Sequence, residues 1–435
     1  MMPKAPEARN TAWLYTVLPV SMATGPLGTV VALYLVHLNG PTLGPIYVSL
    51  ASAIFNGIGI PAALIWGVTI DRLQKRRALI SLGYALTSVS LISFYFLAST
   101  EGTIIVYSVV SFVSFASATP LNLLIMETEQ KSSWAGAFAR LSMLSSVGNV
   151  AGLLLSTVWS DILPAQLVLL YIPMGVLSMV SAGLALATIT EPSFVLERET
   201  VARRRPSFFS RLLANPIFFV TAPSASDFRR AFRGMRSTLT RRVPLFYTST
   251  VLFYFSAGLF NTSFVPAMYV FSMPDQQVFG VILAGMVVQT LAFQRAGMFV
   301  GSRSLVTTSV QGLMLRGWSY VGIGVGALFL TGPTFLIPAL LLYPLAGGVA
   351  FAIYYTSANT MMFTTVQSKS AGAALGVYSA VVGISSTAGS LVSGFVSVGL
   401  GYDTTFIVSG IFLFAAVGVV GRLPTPSSHD EGALQ

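Results

Sequence analysis

The sequence predicts an all-α membrane protein, with twelve transmembrane helices arranged as two pseudo-symmetric bundles of six. Of the 435 residues, 54% are hydrophobic and only 9% are charged, and the mean hydropathy is +0.77. Apolar runs of about 20 residues, the length needed to cross a bilayer, recur along the chain. Basic residues are confined to alternate connections between these runs. Soluble domains carry far more charge than this, so the composition excludes a soluble fold.

The first predicted bundle spans residues 1–189. Its six apolar runs lie at about 11–37, 45–66, 78–98, 103–126, 134–159 and 165–189. The first run follows Lys4 and Arg9, is longer than the core of a signal peptide, and ends without a small-x-small cleavage site. We therefore expect this run to be retained as the first transmembrane helix.

The second predicted bundle spans residues 243–422. Its six apolar runs lie at about 243–270, 277–299, 305–331, 335–362, 373–398 and 404–421. The remaining tail, 423–435, contains Pro424, Pro426 and several small or polar residues, and we expect it to be disordered in the cytoplasm.

The polar segment 190–242 joins the two bundles and is strongly basic, with 11 Arg and 4 acidic residues. Four apolar residues recur in it at helical spacing, namely Phe228, Phe232, Met235 and Leu239. This pattern predicts an amphipathic helix that binds anionic inner-leaflet lipids near 198–242. A flexible basic linker explains the same composition equally well. We do not expect nucleic-acid binding, because the bases belong to loops on one face of a membrane.

The distribution of charge predicts the orientation of the helices. No Lys or Arg lies in the six predicted outside connections, which are 38–44, 99–102, 160–164, 271–276, 332–334 and 399–403. These connections instead carry four acidic residues, Glu101, Asp161, Asp275 and Asp403. Since basic loops stay on the cytoplasmic side during insertion, we expect a multi-pass protein of the cell membrane with both termini in the cytoplasm.

A charged loop joins the second and third apolar runs. It reads Gly67-Val-Thr-Ile-Asp71-Arg72-Leu-Gln-Lys75-Arg76-Arg77, with one acid and four bases. Asp71 lies at the inner membrane edge, where a carboxylate can face a helix N-terminus. The arginines can form charge-assisted hydrogen bonds to a carboxylate, and Glu127, at the inner end of the fourth run, is the expected partner of Arg76.

This loop resembles the loop 2–3 signature of the major facilitator superfamily of transporters. The resemblance implies the twelve-helix fold of that family and a cytoplasmic gate formed by the loop. It also implies that Asp71 faces the start of the eleventh helix, near Ser370–Gly372. The alternative is that these charges only set the orientation of the helices. The sequence departs from the fullest family pattern at Leu73-Gln74, where a glycine is common.

An internal repeat supports two related halves. Residues 122–152 and 359–389 align without gaps at a shift of 237 residues, and both run from a fourth span into a fifth. The residues that match are Asn122/Asn359, Gln130/Gln367, Ser133/Ser370, Ala137/Ala374, Ser142/Ser379, Ala151/Ala388 and Gly152/Gly389. Transporters built from such repeats bind their substrate near the bilayer midplane, between the halves.

Several polar residues within the predicted spans are candidates to line that substrate cavity. They are Asn56, Asn149, Tyr254, Asn261, Gln289 and Tyr354, with Thr24, Thr29, Tyr34 and Tyr355 as further members. An amide within the bilayer needs a partner, so each is expected to face the bundle interior or a wet cavity. Each amide can equally well join two helices, and each tyrosine can serve packing or anchor the membrane interface.

Arg316 and Arg140 are the two bases that lie within predicted helices away from their ends. Arg316 either faces the cavity and attracts an anionic substrate group, or snorkels to the cytoplasm from a helix that starts near 308–312, or forms a structural pair. Arg140 lies close enough to the cytoplasmic end to snorkel. No Asp or Glu lies deep in any span, so the chain has no obvious intramembrane proton carrier.

The sequence therefore predicts a monomeric transporter that moves a small polar or amphipathic solute by alternating access, without a metal or cofactor. It has no cysteine, and His37 and His429 lie too far apart in sequence to suggest a metal site. An enzyme acting on lipid would need clustered acids, histidines or metal ligands at one membrane face. A receptor or scaffold that binds a ligand without moving it is the alternative function.

Overall fold

The computed structural model describes residues 12–73, 75–128, 134–163, 166–190, 242–301, 303–330, 332–365 and 371–423. Every regular element within these ranges is a helix, which confirms the all-α class. The predicted amphipathic helix near 198–242 and the predicted disordered tail beyond Leu423 lie outside these ranges, so both stay predictions.

The first half begins with a 3₁₀ turn, Ala12–Thr16, and continues into six α-helices. These are α1 Val17–Thr24, α2 Leu27–Leu73, α3 Arg76–Phe96, α4 Thr100–Thr128, α5 Trp134–Ile162 and α6 Tyr171–Thr188. The long α2 is broken at Gly40, whose φ of 72° and ψ of −175° are not helical. Glycine adopts a positive φ without steric cost, so the chain reverses here between two helical arms.

The second half contains seven further α-helices. These are α7 Arg242–Val270, α8 Asp275–Gly301, α9 Leu305–Phe329, α10 Leu336–Tyr343, α11 Phe351–Thr365, α12 Ala371–Leu400 and α13 Tyr402–Val420. A π-helical turn, Pro344–Ala350, joins α10 to α11. Proline lacks the backbone N–H that an α-helix needs and displaces the hydrogen-bond ladder, so Pro344 accounts for this turn.

Ten helical segments among the described residues are long and apolar enough to cross a membrane. One of these, Ala12–Ala63, contains the break at Gly40, while the more polar α9 is not among the ten. Each of the twelve predicted runs has a helical counterpart in the structure. Twelve membrane crossings as such stay a prediction.

The two halves pack through a small set of helices. In the first half, α1 packs on α5 and α6, and α3 packs on α4 and α6. In the second half, α7 packs on α12 and α13, and α9 packs on α13. Between the halves, α2 contacts α7 and α12, and α5 contacts α8. We call the end of the protein that carries residues 67–77 the motif side, and the opposite end the far side.

Candidate functional site

The two halves meet closely toward the far side, along a seam between α2 and α12. Asn56 Nδ2 donates a hydrogen bond of 3.3 Å to Ser390 Oγ across this seam. Nearer the far end, Gly394 is so close to Pro45 and Ser49 that a Cβ on it would overlap their atoms. Small residues permit such close helix contact within a membrane. Asn56 therefore joins the two halves.

A second contact between the halves lies at the far end itself. His37 Nε2 lies 3.0 and 3.1 Å from the two carboxylate oxygens of Asp275, at the start of α8. The ring of Tyr269 meets the His37 ring edge-on at 4.7 Å. Because the His37 side chain is 41% exposed, water screens this contact, which is weaker than a buried salt bridge would be.

A cavity of about 1320 Å³ lies between the halves and extends toward the motif side. Its walls come from α1 to α5 in the first half, and from α8 and α11 in the second. Four amide side chains line it, those of Asn122, Gln289, Gln294 and Asn359, together with several Ser and Thr hydroxyls. Five aromatic rings complete the walls, those of Phe55, Tyr84, Phe293, Phe351 and Tyr355.

The charge of the cavity is positive. Arg140, an exposed residue six positions from the start of α5, is the one charged side chain among the described lining residues. The part of the chain that the structure describes brings no Asp or Glu to these walls. It also contains no group of three His, Asp or Glu side chains able to hold a metal ion. The arrangement provides hydrogen bonding, aromatic contact and one cation.

The structure places some of the predicted cavity residues in the cavity wall and others elsewhere. Gln289, Thr24 and Tyr355 line the cavity, whereas the other candidates lie outside its described lining. Asn149 packs against Gly25 in the turn after α1, and Asn261 is exposed on α7. Tyr354 is buried and stacks on Phe253 at 3.9 Å, and Tyr254 meets the same ring edge-on at 5.0 Å.

Arg316 is buried in the second half, with 3% of its surface exposed. Because α9 begins at Leu305, Arg316 lies eleven residues into the helix, about 16 Å from its start. The expectation of a later helix start with an Arg316 that snorkels to the cytoplasm is therefore wrong. Helix α9 begins directly after the extended residue Ser304, and it carries Arg316 away from the motif side.

Aromatic groups surround the Arg316 guanidinium. Its Nε donates a hydrogen bond of 2.8 Å to the Tyr320 hydroxyl, and its Cζ lies 4.9 Å from the Phe253 ring, 5.2 Å from the Tyr320 ring and 5.3 Å from the Phe351 ring. Cation–π contacts of this kind stabilise a desolvated cation. Among the described residues, Nη1 has no hydrogen-bond partner and no acid pairs with the guanidinium.

The charged loop contains a buried salt bridge. Arg76 donates from Nη2 to Glu127 Oε1 at 2.7 Å and from Nε to Glu127 Oε2 at 3.1 Å, and its Nη1 donates to the Ile70 carbonyl at 3.0 Å. The two side chains are 1% and 0% exposed. This is the pair expected from the sequence. It ties the ends of α2, α3 and α4 together on the motif side.

The rest of the loop is described less fully. Gly67 lies within α2, and Arg77 is exposed near the start of α3. The side chains of Asp71 and Arg72 lie outside the described part of the structure, and so does Ser370, the first residue of the segment that Asp71 is predicted to face. The gating role of Asp71 thus stays a prediction.

Sequence reasoning missed Asn122 and Asn359 as cavity residues and gave Arg140 only a peripheral position. The internal repeat contained a usable signal, because Asn122 and Asn359 are its first matched pair. Both face the same cavity, one from each half. A polar residue that recurs at equivalent positions of two related halves is expected near their common axis.

Comparisons with known proteins agree with this architecture. The family model of the Major Facilitator Superfamily matches residues 13–362. Among curated protein sequences, no match is found. The structure is similar to that of the nucleoside transporter NupG, with 12% identity, a TM-score of 0.68, and coverage of 94% of this chain and 99% of that one.

Two further solved structures show the same fold. One is a bacterial homolog of the human lysosomal transporter Spinster, in an inward-facing and unoccupied conformation, with 14% identity, a TM-score of 0.67, and coverage of 96% of this chain and 97% of that one. The other is a POT family transporter in complex with 5-aminolevulinic acid, with 14% identity, a TM-score of 0.68, and 94% coverage of both chains. The chain belongs to the Major Facilitator Superfamily of membrane transporters.

Proposed function

We propose that this protein is a secondary active or facilitative transporter that moves a small solute between its two halves by alternating access. The observation that carries this proposal is the cavity that extends toward the motif side, while the α2–α12 seam and the His37–Asp275 contact hold the far side together. With the motif side in the cytoplasm of the cell, this arrangement corresponds to an inward-facing state.

The far-side contacts are weak enough to be broken in a transport cycle. The Asn56–Ser390 hydrogen bond joins two neutral groups, and such a bond contributes about 1 kcal/mol. The exposed His37–Asp275 contact contributes no more than about 1 kcal/mol, as surface ion pairs do. A solute shifts the equilibrium between the two states only if it binds one of them more tightly.

We propose that the loop 67–77 gates the motif side when the far side opens. Arg76 and Glu127 belong to the same half, so their salt bridge positions the loop and does not itself close the cavity. Asp71 is the residue that we expect to contact the second half, near Ser370–Gly372. We expect Arg72 and Arg77 to take part in this gate as well.

Cysteine labelling tests alternating access without knowledge of the solute, because the natural chain contains no cysteine. Ser146 lines the cavity, so the variant Ser146→Cys should react slowly with a membrane-impermeant maleimide added outside intact cells. Glu101→Cys, which replaces an exposed carboxylate at the far end of α4, should react quickly and fixes the orientation. Ser178→Cys, fully buried, is the unreactive control.

The receptor or scaffold alternative gives a different result. In a protein whose far side never opens, Ser146→Cys should react only in inverted vesicles, where the reagent reaches the motif side. The absence of external labelling, with Glu101→Cys fully labelled, would contradict alternating access and favour that alternative.

A further inference from the structure

We infer that the solute is an organic anion with an apolar body, bound by Arg140 and the aromatic walls of the cavity. This inference rests on the proposed transport function and specifies its substrate class. The first argument is the charge of the residues that line the cavity. Among the described residues that line the cavity, a single guanidinium and no carboxylate faces the solute. An organic cation would find no counter-charge among these described residues.

A second cation lies just behind the cavity wall. The Arg316 guanidinium is 5.3 Å from the ring of Phe351, and Phe351 lines the cavity. Arg316 is 3% exposed and its Nη1 has no partner among the described residues, so its charge is poorly screened. A charge in a low-dielectric wall raises the potential of the cleft beside it. The second half thus adds to the attraction that Arg140 provides from the first.

The aromatic residues of the cavity walls indicate that the body of the solute is apolar. Phe293, Phe351 and Tyr355 form one aromatic surface of the second half, with ring centroids 5.4 to 6.1 Å apart. Phe351 and Tyr355 stack at 29° and Phe293 meets both edge-on at 86°, so the three rings form an apolar wall for a hydrocarbon or aryl group. The amides of Asn122 and Asn359 provide hydrogen bonds beside it. A small inorganic anion would leave the aromatic surface uncovered.

The volume of the cavity suits such a solute. Ligand pockets of about 300 to 1000 Å³ hold drug-sized molecules, and this cavity measures about 1320 Å³. It therefore has room for an aryl or alkyl carboxylate together with water. Arg140 lies about two turns from the start of α5, near the motif-side end of the cavity, where an entering anion meets it first.

Three probes of nearly equal size test this inference, namely phenylbutyrate, phenylbutanol and phenylbutylamine. Their dissociation constants are measured by calorimetry on the purified full chain in a neutral detergent. We expect phenylbutyrate to bind about tenfold more tightly than the alcohol, as one charge-assisted hydrogen bond allows. The amine should bind more weakly than the alcohol.

Variants assign that preference to Arg140. Arg140→Gln should weaken phenylbutyrate binding about tenfold and leave phenylbutanol binding unchanged. Arg140→Lys keeps the charge and should keep most of the preference. The matched control is Arg295→Gln, which removes an exposed guanidinium of α8 that does not line the cavity, and it should leave all three affinities unchanged.

Other outcomes would overturn the inference. The inference fails if the amine or the alcohol binds as tightly as the acid, or if no probe binds. It also fails if Arg140→Gln and Arg295→Gln weaken phenylbutyrate binding equally. Such results are distinguishable from failure of the proposed function. External labelling of Ser146→Cys uses no solute, so a labelled protein without anion preference remains an alternating-access transporter of another substrate.

Discussion

Gly152 of α5 and Gly389 of α12 make the same contact in the two halves of the protein. They lie 237 residues apart in the sequence and are a matched pair of the internal repeat. Each packs against a backbone carbonyl of the first α-helix of its own half, that of Met22 in α1 and that of Phe255 in α7. A Cβ at either position would lie under 3.0 Å from that carbonyl oxygen.

Gly152→Ala and Gly389→Ala should therefore each destabilise the protein. The obstructing atoms belong to the backbone and cannot rotate away, and overpacking of this kind costs about 1 to 3 kcal/mol. The measurement is the thermal unfolding midpoint in detergent, followed by tryptophan fluorescence. Gly183→Ala and Gly418→Ala are the controls, because no atom lies within 4 Å of an added Cβ at either position. Equal midpoints for all four variants would contradict the prediction.

Glu127→Gln should also lower the unfolding midpoint, for an electrostatic reason. It leaves the Arg76 guanidinium buried beside a neutral amide, and the loss of one partner of a buried ion pair costs about 3 to 5 kcal/mol. Arg76→Lys should be destabilising too, since an ammonium cannot reproduce the bidentate contact. Glu101→Gln, an exposed carboxylate at the far end of α4, is the control. Similar midpoints for Glu127→Gln and Glu101→Gln would show that the pair contributes little.

Much of the fold could be predicted from the sequence because its cause is local. Apolar length determines which segments are helical, and the placement of Lys and Arg determines which ends lie together. The pairing of Arg76 with Glu127 was predictable as well, because both lie at ends of helices on the same side. The break at Gly40 and the extension of α2 to Leu73 were placed only approximately, since helix ends carry a weak signal.

The lining of the cavity was not predictable in the same way. In a membrane, both lipid and the bundle interior are apolar, so hydropathy does not indicate which face of a helix turns inward. Gln289 and Asn261 are both amides within apolar helices, yet Gln289 lines the cavity and Asn261 is exposed. Helix rotation about its own axis decides between them, and that depends on packing against neighbouring helices.

Arg316→Leu should leave stability nearly unchanged while it weakens anion binding. Removal of the charge relieves a burial cost of about 3 kcal/mol, and this offsets both the hydrogen bond to the Tyr320 hydroxyl and the cation–π contacts with the surrounding rings. The measurements are the unfolding midpoint and the dissociation constant of phenylbutyrate. Arg422→Leu, which replaces an exposed guanidinium, should change neither. A midpoint lowered by many degrees would indicate instead that Arg316 holds the aromatic cluster together.

Asp71→Asn should slow external labelling of Ser146→Cys by about fivefold. If Asp71 stabilises the closed motif side, its neutral analogue shifts the population toward the inward-facing state, and a coupling of about 1 kcal/mol gives this factor. Arg295→Gln in the same background is the control for a charge change at the motif-side end of α8. An unchanged labelling rate in Asp71→Asn would remove the gating role of this residue and leave its charge as a determinant of orientation.

Asn122→Leu and Asn359→Leu should each weaken binding of phenylbutyrate and phenylbutanol alike, because an amide donates to neutral and anionic oxygen acceptors. The expected loss is about threefold to tenfold, the value of one neutral hydrogen bond in a wet site. Stability should be retained, since Asn122 is exposed and Asn359 half-buried in the cavity wall. Asn261→Leu, the same change at an exposed amide outside the lining, should leave both affinities unchanged. If only one of the repeat-related amides affects binding, the solute lies against one half of the protein and the repeat is structural at the other.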